Sequence, residues 1–196
     1  MGCQPGNAYH YQSIKSRYHV TSTPPRSLSD FLRRAIGPMD KIAMPAVVWT
    51  PAMSVGIEAL DTDHKMLFGL INQLDRAIAE GSADTIVASI INGLVDYTEY
   101  HFGREEAMMA AVGYAGLDAH RASHRALVES LQLLRDAYAG GLRDGIETRL
   151  LTFMRDWITG HIRGEDIQYA PVMKGRESDL AHVDKDYTRK LLARSP

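Results

Sequence analysis

The sequence predicts an all-α protein: an up-down-up-down four-helix bundle with an N-terminal extended arm and a C-terminal tail. Three observations carry that prediction. Four stretches between Leu60 and Gly164 repeat apolar residues every three or four positions, the spacing of a single helix face. The breaks between them, at Gly81-Ser82, Gly113 to Gly116 and Gly140-Gly141, are short, and short loops join antiparallel neighbours. Five histidines also lie on the apolar faces, where the core of such a bundle belongs.

The chain of 196 residues is long enough for one domain with a substantial core plus extra segments. Its 45% of hydrophobic residues suffices to fold that domain. The net charge of −2 gives no case for nucleic acid as a partner. The charge is uneven: residues 1–45 hold six Lys/Arg and two Asp/Glu, and residues 46–196 hold sixteen and twenty-two. Cys3 is the one cysteine, which excludes an internal disulfide and a thiolate metal site. No apolar run is long enough to span a membrane. The first thirty residues lack the apolar centre of a secretory signal. The expected setting is cytoplasmic; an organellar transit peptide is the alternative that an Arg/Ser-rich, acid-poor start leaves open.

Residues 1–45 show no sustained period. Pro24-Pro25 and the polar run Thr21 to Thr23 predict a disordered basic arm, with a short helix around Leu28 to Ile36 as its one local pattern. The arm is either a tail, a partner-binding segment, or sequence upstream of a start at Met39 or Met44. The bundle is expected over 46–175 and the C-terminal tail over 176–196.

Val47 to Ile57 is an apolar lead-in carrying Trp49, expected to lie extended across the bundle. Helix one should begin near Leu60 or Asp61 and stop at Gly81, with His64, Leu67, Ile71, Leu74 and Ile78 on its apolar face. Helix two should start after Ser82 or Asp84, either of which can cap it, and end by Gly113. Its stripe is Ile86, Ile90, Leu94, Tyr97, His101, Glu105 and Met108. Gly93 and Gly103 inside it each cost about 1 kcal/mol relative to Ala, which the periodicity outweighs. Helix three should run from Leu117 to Tyr138 with the seam His120, His124, Leu127, Leu131, Leu134, Tyr138. Helix four should run from about Asp144 to Gly164 with Leu150, Met154, Trp157 and His161 on one face, and Pro171 should end any continuation. The tail has a weak helical pattern through Leu180, Val183, Tyr187 and Leu191, which predicts a helix docked on the bundle or lying free.

The inward histidines are His64, His101, His120, His124 and His161; His10, His19 and His182 lie in the terminal segments. One inward histidine alone is more often a hydrogen-bonded core residue than a ligand. Five on four helices, with His120 and His124 at i, i+4 and Glu105 at i+4 from His101, describe a metal site. A buried ionised carboxylate is costly unless it is paired or binds a metal. A second carboxylate is expected near His161. Glu165 at i+4 shares its face in an unbroken helix, whereas Asp166 at i+5 lies about 140° away unless Gly164 distorts the turn. Spacing alone does not choose between them.

The chain from about Val48 to Met173 resembles a hemerythrin domain of the bacterial single-domain type. The matching residues are Trp49, Val55-Gly56-Ile57, Asp63-His64 with Leu67 and Asn72, and Tyr100-His101-Phe102 with Glu105-Glu106 and Met108. They continue with Gly113-Tyr114, His120-x3-His124 and Trp157-x3-His161-Ile162-x3-Asp166 with Tyr169. The resemblance favours Asp166 over Glu165. It implies two non-haem iron ions with an oxo or hydroxo bridge. His120, His124 and His161 would bind one iron and His64 and His101 the other, with Glu105 and Asp166 bridging. On two octahedral ions those ligands and the oxygen bridge leave one position open, on the two-histidine iron. That position would take dioxygen.

The implied function is reversible dioxygen binding for storage, transport or sensing, without enzymatic turnover. The alternative is a di-iron redox enzyme or sensor acting on peroxide or nitric oxide. Oxygenase chemistry is disfavoured, because carboxylate-rich di-iron bundles use Glu-x-x-His on two helices and this chain has none. Zinc fits poorly, since it prefers four ligands; manganese stays open. Glu106 points about 100° from Glu105 and is expected at the surface or behind a ligand. A monomer is the default for a single bundle.

Overall fold

The computed structural model describes residues 46–82, 84–143 and 145–193. The arm expected over residues 1–45, with its short helix and alternative starts, lies outside the described residues.

The lead-in runs extended, with one tight turn at Pro51–Met53, and buries Met53, Val55 and Ile57. Side chains of the first long helix hold it down. The Asn72 amide brackets Val47, accepting from its N–H at 2.9 Å and donating to its carbonyl at 2.8 Å. The Asp61 carboxylate accepts from the Val55 N–H at 2.9 Å and from the Ser54 hydroxyl.

Helix α1 is Glu58–Ala79, starting two or three residues before the expected Leu60 or Asp61. Helix α2 is Asp84–Val112. Asp84 is its first helical residue rather than a cap, and its carboxylate accepts from Arg143 at 2.8 Å. Gly113 ends α2 at φ 68°, and the Tyr114 N–H reaches back to the Met109 carbonyl at 3.0 Å. That left-handed closure satisfies a terminal carbonyl at little cost only for glycine. Helix α3 is Leu117–Ala139. Helix α4 is Ile146–His161, followed without a break by a π-turn over Ile162–Asp166 and then α5, Ile167–Met173. The expected stop at Pro171 is corrected: the proline lies inside α5. Pro171 is the fifth residue of α5, past its first turn, so it removes one backbone hydrogen bond there, and the helix ends two residues later at Met173. Helix α6 is Glu177–Leu192, so the tail pattern is a helix.

Helix α1 lies against α2 and α4, and α3 lies against the same two. The four form a ring around one core, as short loops between antiparallel neighbours require. The α3 seam is buried along its whole length, from His120 to Tyr138. The α2 stripe needs correction at its edges. Ile86 is 50% exposed and Tyr97 half-buried, while Val87, Ile91, Val95, Thr98 and Phe102 are buried. The reason is that α2 touches both α1 and α3, so its buried face is wider than one row. On α4, Ile158 takes the core position and Trp157 is half-buried.

Helix α6 packs on α2. Its Leu180 and Val183 close one end of the bundle against Val55, Leu60, Met108, Met109 and Tyr169. No helix among the described residues is long and apolar enough to cross a membrane.

Candidate metal centre

All seven residues singled out from the sequence converge in the middle of the ring, and each is at most 4% exposed. His64 comes from α1, His101 and Glu105 from α2, His120 and His124 from α3, His161 from the end of α4 and Asp166 from the π-turn. The ligand-capable atoms of Glu105, His120, His124 and His161 lie within 4.8 Å of one another, as do those of His64, His101 and Glu105.

Every imidazole turns its Nε2 towards a carboxylate. His64 Nε2 is 3.3 Å from Asp166 Oδ2. His161 and His120 Nε2 are 3.0 and 3.4 Å from Asp166 Oδ1. His124, His120 and His101 Nε2 are 3.2, 3.6 and 3.8 Å from Glu105 Oε2. The two oxygens of Asp166 thus face opposite groups, His64 on one side and His120 with His161 on the other.

The π-turn brings Asp166, and not Glu165, into the buried cluster. A π-turn carries one residue more than an α-turn, so i+5 instead of i+4 returns to the face of residue i. Asp166 is therefore fully buried beside His161. Glu165 stays on the rim with a side chain 27% exposed, its Oε2 3.4 Å from His161 Nδ1.

Behind the ring nitrogens stand further carboxylates. His101 Nδ1 faces Asp63 Oδ2 at 3.4 Å, and His124 Nδ1 faces Glu106 Oε1 at 2.9 Å. Two of the imidazoles, His101 and His124, thus have a hydrogen-bond acceptor at Nδ1. Such acceptors fix the tautomer that leaves Nε2 free for a metal. Glu106 thus lies behind the His124 ring. Asp63 was legible only as part of the matched run Asp63-His64; the Arg104 and Asp184 that support it carried no sequence signal.

Aromatic rings shield the imidazoles. Phe102 stacks on His124 at 3.6 Å between ring centres and Trp157 on His161 at 4.2 Å, and Trp49 lies over His64 at 6.0 Å.

The electrostatics are those of a site short of positive charge. Burial alone would raise the Glu105 carboxyl, but the facing imidazoles of His120 and His124 hold it well below the ordinary carboxylate range. Burial and the like charge of Glu105 would likewise raise Asp166, yet His161 and His64 keep it at about 2. Burial works against a charged His161, but Asp166 outweighs it and pushes the imidazole up to about 10. His124 is raised similarly, against burial, by Glu105 and Glu106. His101 is lowered, because burial dominates there.

Two features show that these residues fit metal ions. His124 and His161 meet Nε2 to Nε2 at 3.0 Å, which requires a proton or a cation between two lone pairs. Buried His64 Nε2, His120 Nε2 and all four oxygens of Glu105 and Asp166 have no hydrogen-bond partner in good geometry. Buried polar atoms left unpaired cost about 1–3 kcal/mol each, more when charged. A donor set of imidazole and carboxylate, with no thiolate, suits iron and related divalent ions.

Residues 55–173 match the family model described as the hemerythrin HHE cation binding domain. The chain is 30% identical over 139 residues to the bacteriohemerythrin of Stenotrophomonas maltophilia, covering 70% of this chain and 88% of that protein. It is 31% identical over 131 residues to the bacteriohemerythrin of Methylococcus capsulatus, covering 66% of this chain and 98% of that protein. A crystal structure of wild-type hemerythrin superposes with a TM-score of 0.62 at 30% identity, covering 67% of this chain and all of that one. A helical ring with a buried histidine and carboxylate cluster, at this similarity, has one reading: the chain belongs to the hemerythrin family and carries a hemerythrin-type iron site.

Proposed function

We propose that the protein binds dioxygen reversibly at a non-haem di-iron centre, for storage, transport or sensing. In this reading His120, His124 and His161 hold one iron and His64 and His101 the other. Glu105 and Asp166 would be shared by the two, alongside an oxo or hydroxo bridge. The observation that carries it is the asymmetry of the cluster: three imidazoles on one side of the carboxylates and two on the other. Five imidazoles, four carboxylate oxygens and a shared oxygen bridge would leave two six-coordinate ions one ligand short, on the two-histidine side. When bound, the iron pair supplies the two electrons needed to bind dioxygen as a reduced species.

The protein's own part is to fix and to shield. Asp63 and Glu106 hold the His101 and His124 rings in one tautomer. Phe102, Trp157 and Trp49 keep water from the imidazoles. The Tyr169 hydroxyl, fully buried near Glu105 and Asp166, is held protonated well above its usual range, first by burial and then by those two charges. A dry surround in which Tyr169 keeps its proton disfavours loss of bound oxygen in reduced form, which is why binding is preferred here to turnover of peroxide or nitric oxide. All seven ligands come from one chain, so no second copy is needed, and we take the protein to be a cytoplasmic monomer.

The test is an anaerobic spectrum of the reduced, iron-loaded protein before and after oxygen. Charge-transfer bands that appear with oxygen and vanish when it is removed are expected. Prompt conversion to a fixed oxidised spectrum, or steady consumption of peroxide with a reductant, would overturn the carrier reading in favour of the redox one.

A further inference from the structure

Helix α6 begins at Glu177, after the last residue matched by the family model, Met173. It nevertheless reaches the metal centre through a continuous line of charged contacts. Asp184 on α6 accepts from Arg104 Nε at 2.5 Å. Arg104 Nη1 donates to both oxygens of Asp63 at 3.0 Å. Asp63, which also accepts from the Tyr97 hydroxyl at 2.8 Å, faces His101 Nδ1 at 3.4 Å. His101 Nε2 then faces Glu105.

Two features show that this contact is built closely. The side chains of Arg104 and Asp63 are 13% and 3% exposed, so the pair works in a medium where charge interactions are little screened. Tyr187, one turn beyond Asp184, donates its hydroxyl to the Tyr100 carbonyl at 3.1 Å and lies with its ring 5.9 Å from that of Tyr100. That approach needs Gly103, because a β-carbon there would collide with the Tyr187 hydroxyl. The mid-helix glycine that weakens α2 is the position over which α6 seats.

We propose that α6 is a clamp on the two-histidine side of the centre, with Asp184 as a positioning residue. Asp184 fixes Arg104, Arg104 fixes Asp63, and Asp63 orients the His101 ring. Without Asp184, Arg104 keeps one carboxylate partner instead of two and gains freedom to swing, and Asp63 loses a rigid donor. The His101 ring is then less well held at Nδ1. The clamp rests on the reading of His101 as a ligand of the iron with the open position.

The test uses the full chain and three variants: Asp184→Ala, Asp184→Glu and, as control, Asp186→Ala, an exposed residue of α6 paired with Arg189. Two quantities are measured. One is the rate at which a chelator removes iron from the loaded protein. The other is the nitrogen resonance of the His101 ring in metal-free protein. Changes to acceptors behind metal ligands cost about 10–100-fold in metal affinity, and Asp184 acts one contact further out. Release of half the iron is therefore expected about tenfold faster in Asp184→Ala. The His101 signal should shift in that variant, Asp184→Glu should restore both, and Asp186→Ala should match the unaltered protein. An unchanged His101 signal in Asp184→Ala overturns the clamp whatever the iron does, and so does a shifted signal with unchanged iron release. If the unaltered protein took up no iron, the iron reading would fail, while the metal-free His101 signal would still decide the contact.

Discussion

His161 and Asp166 show at the smallest scale how the site trades protons for metal. The metal-free His161 imidazole is raised to about 10 in the fold, against about 6.5 for a free histidine. Its contribution to stability is therefore fully present below about pH 6.5 and is lost as pH rises through about 10. Asp166, lowered to about 2, contributes above about pH 3.8 and loses that contribution as pH falls through about 2. The metal-free protein should thus lose melting temperature steadily between about pH 6.5 and 10, and the loaded protein should not, because a metal has replaced the proton. A flat profile for the metal-free protein in thermal unfolding would contradict this. The same proton must leave when a metal enters, so metal affinity should rise with pH over that window. Among substitutions, His64→Ala and His101→Ala should leave a folded bundle whose three-histidine side still loads, giving about one iron per chain by elemental analysis. Glu105→Ala should lose the pair; two irons at full occupancy in that variant would refute its place between them.

The π-turn is the element that decides which carboxylate enters the core. Five imidazoles and Glu105 were legible from sequence because each sits on a regular α-helical face, where a period of 3.6 holds. Asp166 was not legible from spacing, because it follows a turn that breaks the period; only the family resemblance chose it. The cause is not glycine geometry. Gly164 has no left-handed φ, and a β-carbon there would meet nothing within 4 Å. Gly164→Ala is accordingly expected to keep two irons per chain and to change stability by less than about 1 kcal/mol. Glu165→Ala should also keep both irons, whereas Asp166→Ala should not. An iron assay on the three variants checks the set, and loss of iron in Gly164→Ala would show that the turn depends on the glycine. Pro171 does not stop the helix at once either, because α5 runs two residues past it to Met173. Helix α6 was legible as an amphipathic pattern through Leu180 and Val183. Its register on α2, and so the Asp184–Arg104 contact, is a tertiary fact that no local period encodes.

At the scale of the whole molecule the centre is a cross-link. Its side chains come from all four helices of the ring, so a bound metal ties together elements that are distant in sequence. A ligand held only by the folded state stabilises it by about 4 kcal/mol at a thousandfold excess over its dissociation constant. For a domain of this size that is a rise of about 10 °C in Tm. Calorimetry of loaded and chelator-stripped protein measures it, and equal melting temperatures would show that the residues hold no metal tightly. The site, its shielding rings and the clamp all lie between Trp49 and Tyr187. A chain starting at Ala46 is therefore expected to fold and load as the full chain does, with an identical spectrum.

The claim on which the rest depends is that seven side chains hold a coupled pair of irons. It is tested most directly by Mössbauer spectroscopy of the oxidised protein loaded with iron-57, with iron and protein quantified on the same sample. About two irons per chain and a diamagnetic ground state from two ferric ions coupled through a bridge are expected. One iron per chain, or magnetically isolated ferric ions, would contradict it.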